Sequence, residues 1–193
     1  MSISALVIGY GSIGKRHAEL LNEMSEISHV KILSNQSGLP FETIKSLEEI
    51  PELNPDYIII SSITALHYEQ LAFLEKNLKG KKILVEKPLF DTFKDLEVKN
   101  NQVFVGYTLR CHPLLRLIRE KIVHKEIWSA NIFCGGFLPE WHTKKDYRKS
   151  YSASKKAGGG VLLDISHELD YINWLCGRIE PEFAKNKKIS NLE

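Results

Sequence analysis

Three glycines near the start of the chain have the spacing of a phosphate-binding turn. They are Gly9, Gly11 and Gly14 in the run GYGSIG, which follows an apolar segment and opens a segment with apolar residues at helical spacing. In such a turn the first glycine permits the bend, the second lets the backbone approach a pyrophosphate, and the third lets helix and strand pack closely. Turn glycines without a ligand are the alternative, but the strand, turn and helix context favours a dinucleotide site.

The position that would bind the adenosine ribose carries no carboxylate. About 20 residues after the glycine turn, where an acidic side chain would hydrogen-bond the ribose, the sequence reads Ser34-Asn35-Gln36. The missing negative charge removes a group that would repel a 2′-phosphate, yet no arginine stands in this run to attract one. NAD and NADP are both predicted as cofactors, with a slight lean towards tolerance of NADP.

A lysine follows the fourth apolar run, in the tripeptide Glu86-Lys87-Pro88. Ligands of doubly wound sheets bind at the carboxyl ends of the strands, which is where this lysine is predicted to lie. Burial beside a cofactor lowers a lysine pKa from its usual value near 10.4 and equips the amine to exchange a proton with a substrate hydroxyl. A surface lysine paired with Glu86 is the alternative, and the tripeptide alone does not decide between them.

A helix predicted over residues 161–176 carries proton-exchanging side chains on one polar stripe, namely Asp164, His167, Glu168 and Tyr171. A second polar stripe lies opposite, with broad apolar flanks between them, so the helix is expected to be largely buried with two polar edges. One edge can line a cleft, where a histidine with a pKa near 6.5 exchanges protons at neutral pH. The alternative is a histidine that only bridges helix and sheet.

Short apolar runs alternate with helical patterns through the first half of the chain. Strands are predicted at 3–8, 30–34, 57–61, 82–86 and 102–106. Helices are predicted over 12–24, from a cap at Thr64 to about Leu78, and after a cap at Asp91, with a Ser46–Glu49 capping box opening a short helix that ends near Pro51. This alternation predicts the α/β class, with a Rossmann-type doubly wound parallel sheet.

Composition argues against nucleic-acid and membrane partners, because the net charge is +2 and the 43% hydrophobic content is ordinary for a soluble globular protein. The three cysteines, Cys111, Cys134 and Cys176, are widely spaced and form no CxxC pair. No disulfide framework and no metal site are therefore expected, and a reducing cytoplasm is the predicted location. The apolar opening has no preceding positive region, so it is not interpreted as a signal peptide.

Three separated motifs resemble the Gfo/Idh/MocA oxidoreductases, the family of glucose-fructose oxidoreductase and inositol dehydrogenase. They are GYGSIGKRH at 9–17, EKP at 86–88 and GGGVLLDISHELDYINWLCG at 158–177. Shorter similarities are Thr64-x-x-His67, Arg110-x-His112-Pro113 and the segment from Trp141 to Arg148. The resemblance thus extends from the first strand nearly to the end of the chain.

The resemblance implies an NAD(P)-binding Rossmann domain at 1–110, followed by a partial α+β domain with an open sheet at 111–193 for substrate binding and oligomerisation. It implies hydride transfer to or from a sugar, nucleotide-sugar or cyclitol. Lys87 would be a catalytic or substrate-binding lysine and His167 the acid/base. Asp164 stands three positions before His167, where many relatives place the aspartate four positions before the histidine. Either Asp164 remains in the catalytic site at a shifted angle, or another group does its work.

The motifs and the resemblance together predict the remaining site residues. The expected cofactor-binding residues are Gly9, Tyr10, Gly11, Ser12, Ile13, Gly14, Ser34, Asn35, Ser62, Thr64, His67 and Glu86. The expected substrate-binding residues are Lys87, Arg110, His112, Tyr147 and His167. A surface salt bridge is an equal alternative for Arg110. In the implied reaction the nicotinamide exchanges hydride with a carbinol carbon, His167 exchanges the hydroxyl proton and Lys87 polarises the same oxygen.

The last third of the chain is too short to close a second core. It is predicted to hold one strand at 128–134, a polar loop at 136–157 and the helix at 161–176, whose apolar flanks would be exposed. We therefore expect a truncated gene product or a piece of a longer protein, covered by a second copy or by a partner chain. Two alternatives to dehydrogenase activity stay open: a dinucleotide-binding fragment without turnover, and a relative that uses the cofactor transiently for hydrolysis or epimerisation.

Overall fold

The computed structural model describes residues 2–141 and 146–187, and the chain divides into two compact units, Met1–Gly106 and Tyr107–Glu193. The first unit therefore ends at Gly106, whereas the sequence placed the boundary at residue 110. Each unit has its own organisation.

The first unit is built on one parallel sheet. Its six strands are β1 (Ile3–Ile8), β2 (Ile27–Leu33), β3 (Glu42–Ile44), β4 (Tyr57–Ile60), β5 (Lys82–Val85) and β6 (Gln102–Val105). Their order in the sheet is β3-β2-β1-β4-β5-β6, with every neighbouring pair parallel. This is the Rossmann order, in which the direction of winding reverses between β1 and β4. The predicted α/β class and Rossmann-type sheet are confirmed.

The central strands are apolar on both faces because helices cover the sheet on both sides. Alternate residues of β1 enter different cores, with Leu6 and Ile8 in one and Ala5 and Val7 in the other. The first core also contains the helices α2 (Ile50–Leu53) and α3 (His67–Asn77), through residues such as Ile50, Leu71 and Leu74. The second core contains Ala18 and Leu21 of α1 (Ser12–Glu23). This two-sided covering is what the alternating sequence pattern predicted.

Three local features of this unit show where the sequence patterns succeed and where they fail. The capping box of Ser46 and Glu49 is present, at the start of a 3₁₀ turn that leads into α2. Thr64 does not cap a helix but begins a 3₁₀ turn before α3. Strand β3 was not predicted, because three residues show no periodicity; it forms because Ile44 and its neighbours pair with β2.

The helix predicted after Asp91 is wrong. Residues 87–101 connect β5 to β6 without a helix. Leu89, Phe90 and Leu96 from this segment pack individually against the first core, so burial of its apolar residues does not require a helical face. The end of the segment is held by hydrogen bonds to Glu75 of α3 instead.

The second unit is helical in its described part. Its helices are α4 (Pro113–Ile122), α5 (Leu138–Trp141), α6 (Val161–Asp164) and α7 (Ser166–Cys176). Within 107–141 and 146–187 there is no strand, so the strand predicted at 128–134 is wrong and the described residues contain none of the expected open sheet. A strand needs a neighbour to satisfy its backbone hydrogen bonds, and these residues offer none. Residues 142–145, in the predicted polar loop, lie outside the described part.

The single helix predicted over 161–176 is broken in two. Ile165 has φ −102° and ψ 33°, outside the helical region, and it separates α6 from α7. Apolar flanks of both helices are exposed, as predicted; Val161, Leu162 and Leu169 are each more than half accessible to solvent. Ala153 is the one buried apolar residue among the described residues of this unit, so nearly all of the described core belongs to the Rossmann unit.

Among the described residues, no helix is both long and apolar enough to cross a membrane. The same part of the chain contains no cluster of three or more histidine, cysteine or acidic residues able to hold a metal ion.

Candidate functional site

The candidate site of the first unit lies where the carboxyl ends of β1 and β4 meet. The N–H of Ser61, just after β4, donates to the carbonyl of Ile8 over 2.8 Å, and the N–H of Gly9 donates to Leu33 of β2 over 2.9 Å. The strand order reverses at this edge, so the connections from β1 and β4 lead to opposite faces. Such a reversal leaves a crevice, which is the usual ligand site of an open α/β sheet.

Two of the three motif glycines are required by the protein's own packing. Gly9 has φ +92°, and a Cβ on it would lie 2.8 Å from Ser62 Cα. A Cβ on Gly14 would overlap the carbonyl oxygen of Gly9 and lie 2.6 Å from Ser61 Oγ. These positions bring α1 and the loop after β4 against the turn, in agreement with the predicted packing roles.

Gly11 has a different environment. Apart from its chain neighbours and the adjoining helix backbone, no described atom lies within 4 Å of the position that its Cβ would occupy, and its φ of −78° is open to any residue. Gly11 is the N-cap of α1, with no side-chain cap and no acidic residue in the first turn. Ser12 and Ile13 follow it, and Lys15 N–H makes a backbone bond to the Gly11 carbonyl. The helix start thus presents N–H groups to open space, which fits a pyrophosphate.

Ser61 was not among the predicted site residues, yet it positions the glycine turn. Its side chain is 5% exposed, and its hydroxyl lies 3.1 Å from both the Ile8 and the Gly9 carbonyl oxygens. A small polar residue directly after an apolar strand was the signal that could have identified it. The hydroxyl ties the first strand, the turn and the fourth strand together.

The predicted ribose edge is organised by hydrogen bonds among its own residues. Ser34 Oγ accepts the Gln36 N–H over 3.2 Å, and the Gln36 side chain donates to the Tyr10 carbonyl over 3.0 Å. Asn35 between them is exposed. Lys45, which the sequence analysis did not single out, donates from Nζ to the Ser34 and Gln36 carbonyls over 2.8 and 2.9 Å. The Lys45 ammonium therefore places a positive charge beside the Ser34-Asn35-Gln36 run, which has no charged residue of its own.

The Glu86-Lys87-Pro88 motif follows β5 at the same edge of the sheet. Glu86 Oε1 lies 2.6 Å from Nε2 of His17 on α1, and both side chains are largely buried. The Lys87 N–H donates to Glu86 Oε2 over 3.3 Å, and the Lys87–Pro88 peptide is cis. The Glu86 carboxylate thus connects α1 to the backbone that carries the half-buried Lys87.

His67 and Thr64 lie inside the first unit, 1% and 3% exposed. Nε2 of His67 is 3.2 Å from the Ser62 carbonyl and Nδ1 is 3.1 Å from the Pro88 carbonyl, so the ring joins the loop after β4 to the Lys87 loop. Burial lowers the pKa of His67, which favours the neutral ring. The half-buried Ser62 donates from its hydroxyl to Gln70 over 2.6 Å. These contacts give His67 a positioning role.

In the second unit, the break at Ile165 separates Asp164 from the stripe it was predicted to share with His167. Asp164 is 9% exposed and accepts a hydrogen bond from the Tyr151 hydroxyl over 2.8 Å. The half-buried His167 packs its ring edge-to-face against Tyr107, with centroids 5.7 Å apart. The predicted catalytic roles of both residues stay predictions.

Arg110 is held by a carboxylate of α7. Its Nε and Nη2 donate to the two oxygens of Asp170 over 2.8 and 2.5 Å, a bidentate pair that also raises the pKa of Arg110. Arg110 thus forms a salt bridge, and its predicted substrate contact stays a prediction. His112 accepts the Leu114 N–H at its Nδ1 over 3.3 Å and so caps α4. Tyr147 begins a 3₁₀ turn.

The Rossmann order, the glycine turn at the reversal point and the open start of α1 define a dinucleotide-binding protein. The sequence profile of the Gfo/Idh/MocA family, described as an oxidoreductase family with an NAD-binding Rossmann fold, matches residues 3–103. This is more than half of the chain, which therefore belongs to that family. Its cofactor is of the nicotinamide dinucleotide class. No curated protein matches the sequence.

Solved structures resemble the chain over most of its length. The WlbA (WbpB) dehydrogenase of Thermus thermophilus with NAD and UDP-GlcNAcA has a TM-score of 0.68 at 24% identity, covering 92% of this chain and 64% of that one. The WlbA dehydrogenase of Bordetella pertussis with NADH and UDP-GlcNAcA has a TM-score of 0.70 at 17% identity, and the match covers 92% of this chain and 59% of that one. Myo-inositol 2-dehydrogenase of Lactobacillus plantarum has a TM-score of 0.68 at 22% identity, and the match covers 92% of this chain and 57% of that one. The chain thus spans less than two thirds of their length, and the likeness is one of fold.

Proposed function

We propose that the protein is an NAD(P)-dependent oxidoreductase that transfers hydride to or from a carbinol carbon of a sugar, nucleotide-sugar or cyclitol. The observation that carries the proposal is the open N-terminus of α1 behind Gly11, at the reversal point of a sheet in an oxidoreductase family. The substrate class is supported by the UDP-GlcNAcA bound to two of the similar structures and by the inositol dehydrogenase.

The residues present fit a dinucleotide. The N–H groups of Ser12 and Ile13 would hold the pyrophosphate, since the first turn of α1 is uncapped and nothing fills the space beside Gly11. Ser34 and Asn35, at the end of β2, would border the adenosine ribose. When bound, the nicotinamide accepts or supplies the hydride.

Lys87 is proposed to donate a hydrogen bond to the substrate oxygen, which favours charge development there during hydride transfer. Its backbone N–H is held by Glu86, and Glu86 is held in turn by His17, so the lysine starts from a fixed position. His167 is the proposed acid/base, because imidazole takes up and releases protons near neutral pH. Both proposed roles are supported by the resemblance of the two motifs to the family.

The first experiment is a fluorescence titration of the chain with NADH and with NADPH. Saturable binding of either dinucleotide is expected, and absence of both would refute the proposal. Turnover is then measured with myo-inositol and with UDP-GlcNAcA. Binding without turnover of any such substrate would favour the dinucleotide-binding fragment without turnover. Substrate turnover with no net oxidation or reduction of the cofactor would favour a relative that uses the cofactor transiently for hydrolysis or epimerisation.

The roles of Lys87 and His167 are tested with Lys87→Met and His167→Asn. Each is expected to lower turnover by about 10²-fold or more, the usual effect of losing a general acid or base. The dissociation constants for NADH and NADPH should stay within about threefold of the wild type, a difference below 1 kcal/mol. Full turnover in either variant would contradict the assigned role.

A further inference from the structure

A lysine from outside the predicted ribose-binding run stands at the carboxyl end of β2. Lys45 follows β3, eleven positions after Ser34, and its ammonium donates to the carbonyls of Ser34 and Gln36 over 2.8 and 2.9 Å. Two backbone acceptors therefore fix the charge beside the segment that borders the adenosine ribose in this fold. A lysine held in this way loses less side-chain entropy on binding an anion than a free one.

The ammonium can still serve a ligand. It has three N–H donors, and its contacts to described residues use two of them, on Ser34 and Gln36. Lys45 is exposed, so a ligand can approach it from solvent. The exposed Asn35 offers a side-chain amide from the adjoining loop. Together these groups can donate to a phosphate.

No negative charge from the loop opposes this cation. The segment from Ser34 to Phe41 contains no acidic residue. Glu42, three positions before Lys45, pairs with Lys31 over 2.5 Å. Glu49, four positions after it, accepts the N–H groups of Lys45 and Ser46 over 2.9 Å each. Its charge thus stabilises the start of the turn before α2. The edge differs from one built for NAD, where a carboxylate would bind the ribose hydroxyls and repel a 2′-phosphate.

We propose that Lys45 is a cofactor-specificity residue that binds the 2′-phosphate of the adenosine ribose, and that the chain prefers NADP(H) to NAD(H). The inference rests on the proposed function, since it places the same dinucleotide at the same edge. A charge-assisted hydrogen bond to a phosphate at an exposed site gives a preference of about tenfold.

The test is a fluorescence titration of the intact chain with NADPH and NADH, for the wild type, Lys45→Met and Lys45→Arg. The wild type should bind NADPH about tenfold more tightly than NADH, and Lys45→Met should bring the ratio close to one by weakening NADPH alone. Lys45→Arg should retain the preference. Lys79→Met is the charge-matched control, since Lys79 is exposed and precedes β5, at the opposite edge of the sheet. The ratio of its affinities for NADPH and NADH should match that of the wild type.

Competition with adenosine 2′,5′-bisphosphate and with AMP provides a second readout. The bisphosphate should displace NADPH more effectively than AMP from the wild type, and equally from Lys45→Met. Tighter binding of NADH by the wild type, or an unchanged ratio in a Lys45→Met variant that still binds NADH, would overturn this inference and leave the proposed function intact. Failure to bind either dinucleotide would overturn both.

Discussion

Gly9, Gly11 and Gly14 share one motif but are glycines for different physical reasons. The positive φ of Gly9 and the close approach at Gly14 are requirements of the folded chain, whereas the space beside Gly11 is open. Packing therefore accounts for two of the glycines, and we propose that a ligand accounts for the third. The six-residue motif thus contains two glycines that serve the stability of the fold and one that is proposed to serve binding.

Gly14→Ala and Gly11→Ala form a matched pair that tests the division. Gly14→Ala should destabilise the chain by about 1–3 kcal/mol or more, because a buried methyl group must displace backbone. Gly11→Ala should cost less than about 1 kcal/mol, as expected at an N-cap, yet weaken NADH and NADPH binding by about tenfold or more. Urea unfolding and fluorescence titration measure the two quantities. The reverse pattern would contradict the assignment.

His67 gives the first unit a pH-dependent stability with a defined sign. Burial lowers the pKa of the His67 ring in the folded state below its usual value of 6.5. Between these two pKa values the ring is protonated in the unfolded chain and neutral in the folded chain. Above pH 6.5 this residue makes its full contribution to the free energy of unfolding. The contribution falls as the pH drops from 6.5 towards the lowered pKa of the folded state. The slope is at most about 1.4 kcal/mol per pH unit.

Urea unfolding of the wild type and of His67→Gln between pH 7.5 and 5.5 checks this linkage. The wild type should lose stability towards low pH more steeply than the variant, which has no ring to protonate. The variant is expected to be less stable at pH 7.5, because the bridge between Ser62 and Pro88 is weakened. Parallel curves would show that His67 does not set the pH dependence.

At the scale of elements, the connection between β5 and β6 is held by one carboxylate of α3. Glu75 is 5% exposed; its Oε1 accepts the Lys99 N–H over 2.7 Å and the Asn100 N–H, and its Oε2 accepts the Asn101 side chain over 2.9 Å. These bonds fix the entry to β6 in place of the helix that the sequence suggested after Asp91. A polar network thus replaces a regular element.

Glu75→Gln should lower the free energy of unfolding by about 1.5–3 kcal/mol, because a neutral amide cannot accept the same charge-assisted bonds and a buried donor loses its partner. Glu69→Gln is the matched control on α3, since Glu69 is exposed, and it should change stability by less than about 0.5 kcal/mol. Both are measured by urea unfolding. Equal effects would mean that the buried network contributes little.

For the whole molecule, the two units differ in how much apolar surface they bury. The Rossmann unit contains both core clusters. In the second unit, Trp128 and Phe133 are 87% and 98% exposed, and a groove of about 520 Å³ is lined by both polar and apolar residues, among them Arg119, Ile122 and Trp174. We propose that a second copy of the chain or a partner protein covers this surface.

Residues 1–106 alone should therefore fold cooperatively and bind NADPH within about threefold of the full chain, because the sheet, its cores and the glycine turn all belong to this unit. The full chain should bind more of a hydrophobic dye and should self-associate with rising concentration, whereas the fragment stays monomeric. Urea unfolding, dye fluorescence and sedimentation measure these properties. A fragment that does not fold would show that the second unit contributes to the core.

The sequence by itself determined the α/β class, the glycine turn and five of the six strands. Periodicity, capping residues such as Ser46 and turn glycines act over a few neighbours, so their consequences can be predicted locally. The family motifs added Lys87 and His167, whose proposed roles await the experiments above. The same local patterns failed at 128–134 and at Ile165, where the observed backbone departs from the predicted period.

Only the tertiary structure decided the remaining features of the site. It brought Lys45 to Ser34, Ser61 to the glycine turn, and Asp170 to Arg110, which is 60 positions away. It also formed β3, whose three residues depend on β2 for their hydrogen bonds. Each of these contacts joins residues far apart in the chain, and their energies depend on burial and distance, which no local pattern specifies.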